Sequence, residues 1–180
     1  AREMFPHGRL VEEQYFELSQ AIRTTEKVLS DTTVLAIFEG AFAFEKIRIR
    51  VDILTRNGDG TFDLIEVKST TSAKSQHIPD VAIQLHVLEG LGISIRAAYL
   101  MHINNEYVYQ GGTYDLRALF SSKDVTEESR EFVSKTTDLT PKLVTFASRV
   151  RLPLQQTPLV SCPSGNCGAG PRCSPTASPL

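Results

Sequence analysis

The sequence predicts an α/β domain in which a mixed, largely antiparallel sheet is flanked by helices. Two patterns predict it. Apolar residues recur at three and four across positions 10–29, the spacing of a helix with one buried face, whereas Ile47, Ile49, Val51 and Ile53 alternate with Arg48, Arg50 and Asp52. A second helical pattern follows the strands, so helices and strands interleave along the chain. At 180 residues and 41% hydrophobic, the chain is long enough for one well-packed core.

Val11, Tyr15, Leu18 and Ile22, with Glu and Gln between them, predict a first helix from Leu10 to Leu29. Val34 to Phe38 is a short apolar run suited to a buried strand, and Ile47 to Ile53 is a half-buried one. Asn57-Gly58-Asp59-Gly60 is dense turn chemistry, and Thr61 to Lys68 resumes an extended pattern, so the two segments are expected to pair as an antiparallel hairpin. Ser69 to Gln76 reads as a polar loop. Pro79 and Asp80 introduce a helix from Val81 to Leu91 that closes at Gly90 and Gly92 and is expected to cover the sheet. Ile93 to His102 and Tyr107 to Tyr109 read as two further strands joined by a turn at Asn104-Asn105. Asp124-Val125-Thr126-Glu127 resembles a capping box opening a helix toward Phe132, and Leu143 to Val150 suits another.

Six of the nine prolines and all three cysteines lie beyond position 152, so residues 1–152 are expected to form the domain and 153–180 a Pro/Gly/Ser/Cys-rich tail. An odd cysteine count in an otherwise cysteine-free domain argues against a disulfide framework and toward metal or cluster ligation. A net charge of −2 gives no overall pull toward nucleic acid or an anionic membrane, so such binding would need a local basic patch. No apolar run approaches the roughly 18–20 residues that cross a bilayer, and the start lacks a secretory pattern, from which a cytoplasmic protein is expected. The first residue is not Met, as in a processed chain or a fragment.

The chemistry concentrates at the hairpin. With a three-residue loop Gly58-Asp59-Gly60 and Gly60 at positive φ, Asn57 opposes Thr61, and Asp52 falls directly across from Glu66. Facing Cβ atoms in such a pair lie roughly 4.5–5.5 Å apart, where two carboxylates repel unless a cation lies between them. Oxygen-only ligation suits Mg²⁺ or Mn²⁺. Lys68 projects from the same face as Glu66. A two-residue turn would instead set Asp52 opposite Ile65 and Glu66 on the other face, and an ordinary surface ion pair between Asp52 and Lys68 is the bland alternative.

Asp52, then Glu66-Val67-Lys68, then Gln84 on a helix resembles the RecB-like branch of the PD-(D/E)XK nuclease superfamily. More closely, Phe5-Pro6, Ile37-Phe38-Glu39, Asp52-Ile53-Leu54, Glu66-Val67-Lys68-Ser69 and His102-Ile103-Asn104 resemble a bacterial family of largely uncharacterised proteins with this domain, related to the iron–sulphur exonucleases of CRISPR adaptation. The resemblance covers about residues 5–145 and implies a restriction-endonuclease-like core. It also implies Asp52, Glu66 and the Val67 carbonyl as metal ligands, Lys68 as the catalytic lysine, and Gln84 as a contact to substrate or site. Relatives usually carry Tyr four residues after the Gln, where this chain has Leu88. They often draw a further ligand from the first helix. Glu13 is preferred here over Glu17 and His7, although solvated charge is the commoner role for each.

Relatives of this branch often bind a [4Fe–4S] cluster through one cysteine ahead of the first helix and three near the C-terminus. Cys162, Cys167 and Cys173 match the three, but no cysteine precedes them, and a flexible end is the leading expectation. Arg48, Arg50, Arg56 and Lys74 are candidate phosphate contacts near the acidic site. His77, His86 and His102 are read as packing or polar surface, and Glu39 as equally structural. The expected activity is metal-dependent hydrolysis of DNA phosphodiester bonds, with an exonuclease on single strands or ends as its finer form. The competing reading is a nucleic-acid-binding module that has lost cleavage, and either could be one domain of a larger protein.

Overall fold

The computed structural model describes residues 1–136, and the expected helix at 143–150 and the three cysteines lie outside them. Six strands form one sheet in sequence order: β1 (Gly8–Leu10), β2 (Ala36–Phe44), β3 (Ile47–Arg56), β4 (Phe62–Lys68), β5 (Ile95–Ile103) and β6 (Phe120–Asp124). The β1–β2 and β4–β5 pairs are parallel and the other three antiparallel, so the sheet is mixed and largely antiparallel as expected. Helices α1 (Leu18–Ser30), α2 (Ile78–Gly90), the single turn α3 (Leu116–Leu119) and α4 (Thr126–Lys135) complete it.

Where β2 to β5 run side by side at the middle of the sheet, one residue of each strand and its neighbour belong to different apolar clusters, as the two-residue period of a strand requires. Ile37, Leu54, Leu64 and Leu100 join the larger cluster with Ala21 of α1 and Val81, Leu85 and Leu88 of α2. Phe38, Ile53, Ile65 and Met101 form a smaller one, covered by Met4, Phe5 and Phe120. Helix α2 carries apolar residues all round because it lies between the sheet and α4. Helix α1 is fastened by Thr25, whose hydroxyl donates to the Ala21 carbonyl at 2.8 Å and accepts the Ala41 N–H at 2.9 Å.

Two expected boundaries are corrected. The first helix begins at Leu18 rather than Leu10, because residues 8–10 pair with β2 and the Val11 N–H extends that pairing to the Phe38 carbonyl at 3.0 Å. Val11 is buried as a strand exit, and Tyr15 stands in solvent. The helical spacing of these residues was therefore overridden by backbone pairing to a strand distant in sequence. Likewise, residues 107–109 form no strand. The Asn104 turn is present, with the Tyr107 N–H donating to the Asn104 carbonyl at 3.2 Å, but β6 supplies the antiparallel partner of β5. Phe120 adds its ring to the smaller cluster, which Val108, exposed on the loop, does not. At α4 the carboxylate of Asp124 accepts from the backbone and hydroxyl of Thr126, a turn ahead of the helix rather than a reciprocal capping box.

The hairpin has the three-residue loop. Thr55↔Asp63, Leu54↔Leu64 and Ile53↔Ile65 are partners, the Asn57 N–H donates to Thr61 at 2.8 Å, and Gly60 has φ +84°. Continued one step further, this register sets Asp52 across from Glu66.

Candidate active site

The β3–β4 ladder stops at Ile53↔Ile65, and a side chain takes over. One carboxylate oxygen of Asp52 accepts the Val67 N–H at 2.8 Å, where a strand carbonyl would otherwise stand. The neighbouring β2–β3 ladder is also irregular here. Phe38↔Ile53 and Gly40↔Val51 are partners, and Glu39 between them has φ +55°. Ile47, Ile49 and Val51 join the larger cluster and then Leu54 does, so the strand's alternation skips a step at Asp52. Asp52 lines a hollow of about 450 Å³ with Arg2, Glu3, Glu39 and Val67, and Arg2 bridges to Glu39 at 3.4 Å.

Glu66 is 8% exposed and meets α2. Its two oxygens are divided: one lies 2.8 Å from the Lys68 ammonium, and the other accepts from the Gln84 amide at 2.7 Å. The same ammonium reaches Asp80 at 2.9 Å. Asp80 and Gln84 lie on this side together because residues four apart share a helix face. The Gln84 carbonyl oxygen is buried without a protein partner, as is Nε2 of His77 at the start of α2. Burial, followed by the neighbouring Glu66 charge, pushes the Asp52 carboxyl up to about 7. Burial also depresses Lys68, but its hydrogen bonds and ion pairs with Glu66 and Asp80 more than offset this and hold it above the usual lysine value. His77 is held below its usual value by burial and then by the Lys68 charge.

The residues Asp52, Glu66, Val67, Lys68 and Gln84 are therefore brought together by the β3–β4 hairpin and α2. Glu13 is elsewhere. It accepts from the Thr24 hydroxyl and lines a separate hollow with Arg9, Glu12 and Lys27. Glu17 is exposed and caps the Gln14 N–H at 3.0 Å, and His7 lies exposed ahead of β1. Among the described residues no group of three His, Cys, Asp or Glu side chains is gathered for a metal ion, so the acidic pair stands without a third side-chain ligand.

Of the candidate phosphate contacts, Arg48 and Lys74 are exposed. Arg50 spends its donors on the carbonyls of Val11, Glu13 and Glu39. Arg56 is likewise bound to the Leu29 and Val34 carbonyls. Both tie loops to the sheet. His86 packs edge-on to Phe44, and His102 stays beside the Ile103 carbonyl. Sequence reasoning passed over Asp80, which looked like a helix-start residue. Its place four residues before Gln84 was the available signal.

No family model and no curated protein matches the sequence. Among solved structures, the crystal structure of SSO0001 aligns at 16% identity and a TM-score of 0.34, covering 82% of this chain and 78% of that one. No helix among the described residues is long and apolar enough to cross a membrane.

Proposed function

We propose that this chain is a divalent-metal-dependent nuclease of the RecB-like PD-(D/E)XK type, hydrolysing phosphodiester bonds of DNA in the cytoplasm. The observation that carries the reading is the convergence of Asp52, Glu66 and Lys68 at the end of one hairpin, with the Asp52 carboxyl pushed up to about 7. Glu66 lies close enough to raise the proton affinity of Asp52, and a cation between the two carboxylates would relieve that repulsion.

The donor set fits a hard cation. Asp52 and Glu66 with the Val67 carbonyl would hold Mg²⁺ or Mn²⁺, and water and phosphate oxygens would complete the oxygen shell. When bound, such an ion supplies an acidified water and neutralises charge developing on phosphorus. The chain's own groups do the rest. Lys68 stays cationic and, oriented by Asp80, can hold the attacking water or stabilise the transition state. Gln84 fixes one Glu66 oxygen and so directs the other toward Lys68. Lys74, on the loop after β4, can meet the phosphate backbone.

The test is cleavage of end-labelled single- and double-stranded DNA with Mg²⁺, Mn²⁺ or EDTA, comparing the chain with Asp52→Ala and Lys68→Ala. Metal-dependent cutting lost in both variants is expected. A folded chain that cuts neither substrate with either ion would sink the proposal and favour the cleavage-inactive binding module.

A further inference from the structure

Three of the five tyrosines fall within residues 107–114, on the loop between β5 and α3. Tyr109 and Tyr114 are 48% and 55% exposed, and their rings stack on each other with centroids 4.5 Å apart and planes at 27°. The pair is held in place. Gly111 and Gly112 take φ of +89° and +78° to turn the chain back, and the Tyr109 hydroxyl donates to the Gly112 carbonyl at 2.6 Å. Tyr107 reaches across with its hydroxyl accepting the Asp115 N–H at 3.4 Å. Neither stacked ring belongs to an apolar cluster of the fold.

The loop's position gives these rings a context. Strands β4 and β5 are parallel, and Lys68 partners His102 at their common C-terminal end. The loop carrying Lys74 leaves β4 there, and the tyrosine loop leaves β5 there. The two are joined where the Ile103 N–H donates to the Thr70 carbonyl at 2.9 Å. Asn105 and Gln110 add exposed amides to the same loop.

We infer that Tyr109 and Tyr114 form a stacking platform for unpaired bases of single-stranded DNA entering the candidate active site. The identity of this occupant rests on the nuclease reading. Fixed, exposed rings offer stacking energy to any base with a free face, and the amides suit base edges and sugars. In a duplex those faces are already covered, so the platform selects single strands or frayed ends. The loop also carries Glu106 and Asp115, so its contribution comes from stacking rather than charge and depends little on salt. The contribution of Lys74 falls with salt.

The experiment is fluorescence anisotropy of the full chain, in EDTA, with a short labelled single strand and with its blunt duplex. Tyr109→Ala and Tyr114→Ala are each expected to weaken single-strand binding by about 5- to 150-fold. Tyr114→Phe, which keeps the ring, retains the affinity, and duplex binding does not change. Single-strand binding indifferent to both alanine substitutions, or an equal loss on the duplex, overturns the inference, as does tighter binding of the matching RNA strand. Because cleavage is absent in EDTA, the two proposals fail separately. Tyrosine-dependent binding by a chain that never cuts leaves this one standing, and cutting with tyrosine-indifferent binding removes it alone.

Discussion

The Asp52 carboxylate accepts the Val67 N–H at 2.8 Å, and this bond closes the β3–β4 pairing at the candidate site. Asp52→Ala removes the acceptor and leaves a part-buried N–H unpaired, with an expected cost of about 1–3 kcal/mol in denaturant unfolding. Asp52→Asn keeps an oxygen at that position and is expected to retain the fold while losing metal-dependent cleavage.

The raised Asp52 pKa sets a pH dependence. Its value near 3.8 when unfolded rises to about 7 in the fold, so the folded chain binds this proton more tightly. The stabilisation is fully present below about pH 4 and is lost as pH rises through about 7. In EDTA, the Asp52 contribution therefore favours a higher melting temperature at roughly pH 5 than at roughly pH 8. Asp52→Asn should flatten that difference, and so should Mn²⁺, which favours the ionised pair. A wild-type profile unchanged by the substitution would contradict the assignment of the shift to Asp52.

Lys68 lies between two carboxylates, at 2.8 Å from Glu66 and 2.9 Å from Asp80. Lys68→Met leaves both without their cation and is expected to cost about 1–3 kcal/mol of stability. Asp80→Asn should leave Lys68 held by Glu66 and lower cleavage through misorientation. Combining Asp80→Asn with Lys68→Met should then cost less than the two changes summed, which a double-mutant cycle measures.

Gln84→Leu removes the donor to Glu66 and leaves that carboxylate oxygen buried and unpaired. The expected result is weaker Mn²⁺ binding by calorimetry with little loss of secondary structure, because Leu is close to Gln in size and suits a buried helix position.

Gly60→Ala places a side chain at φ +84° and is expected to destabilise the fold by about 1–2 kcal/mol in denaturant unfolding. A neutral result would mean that the hairpin accepts a different turn.

Local chemistry made much of this protein legible in its sequence. The Asn57–Gly60 segment marked a turn, but it allowed both a two-residue and a three-residue loop; the folded hairpin takes the three-residue one with Gly60 at positive φ, and with it the register that faces Asp52 toward Glu66. Pro79 and the apolar pattern after it announced α2, and the two-residue alternation announced β3. Contacts between segments distant in sequence decided the rest. Residues 8–10 became a strand because β2 offers them ladder partners, and β6 rather than residues 107–109 paired with β5 because Phe120 reaches the smaller cluster. Arg50 and Arg56 were captured by carbonyls that only the fold brings near, and Lys68 acquired Asp80 because α2 packs beside β4. Spacing along a chain specifies turns and faces, whereas the partners of a long charged side chain depend on which elements the packed core sets against each other.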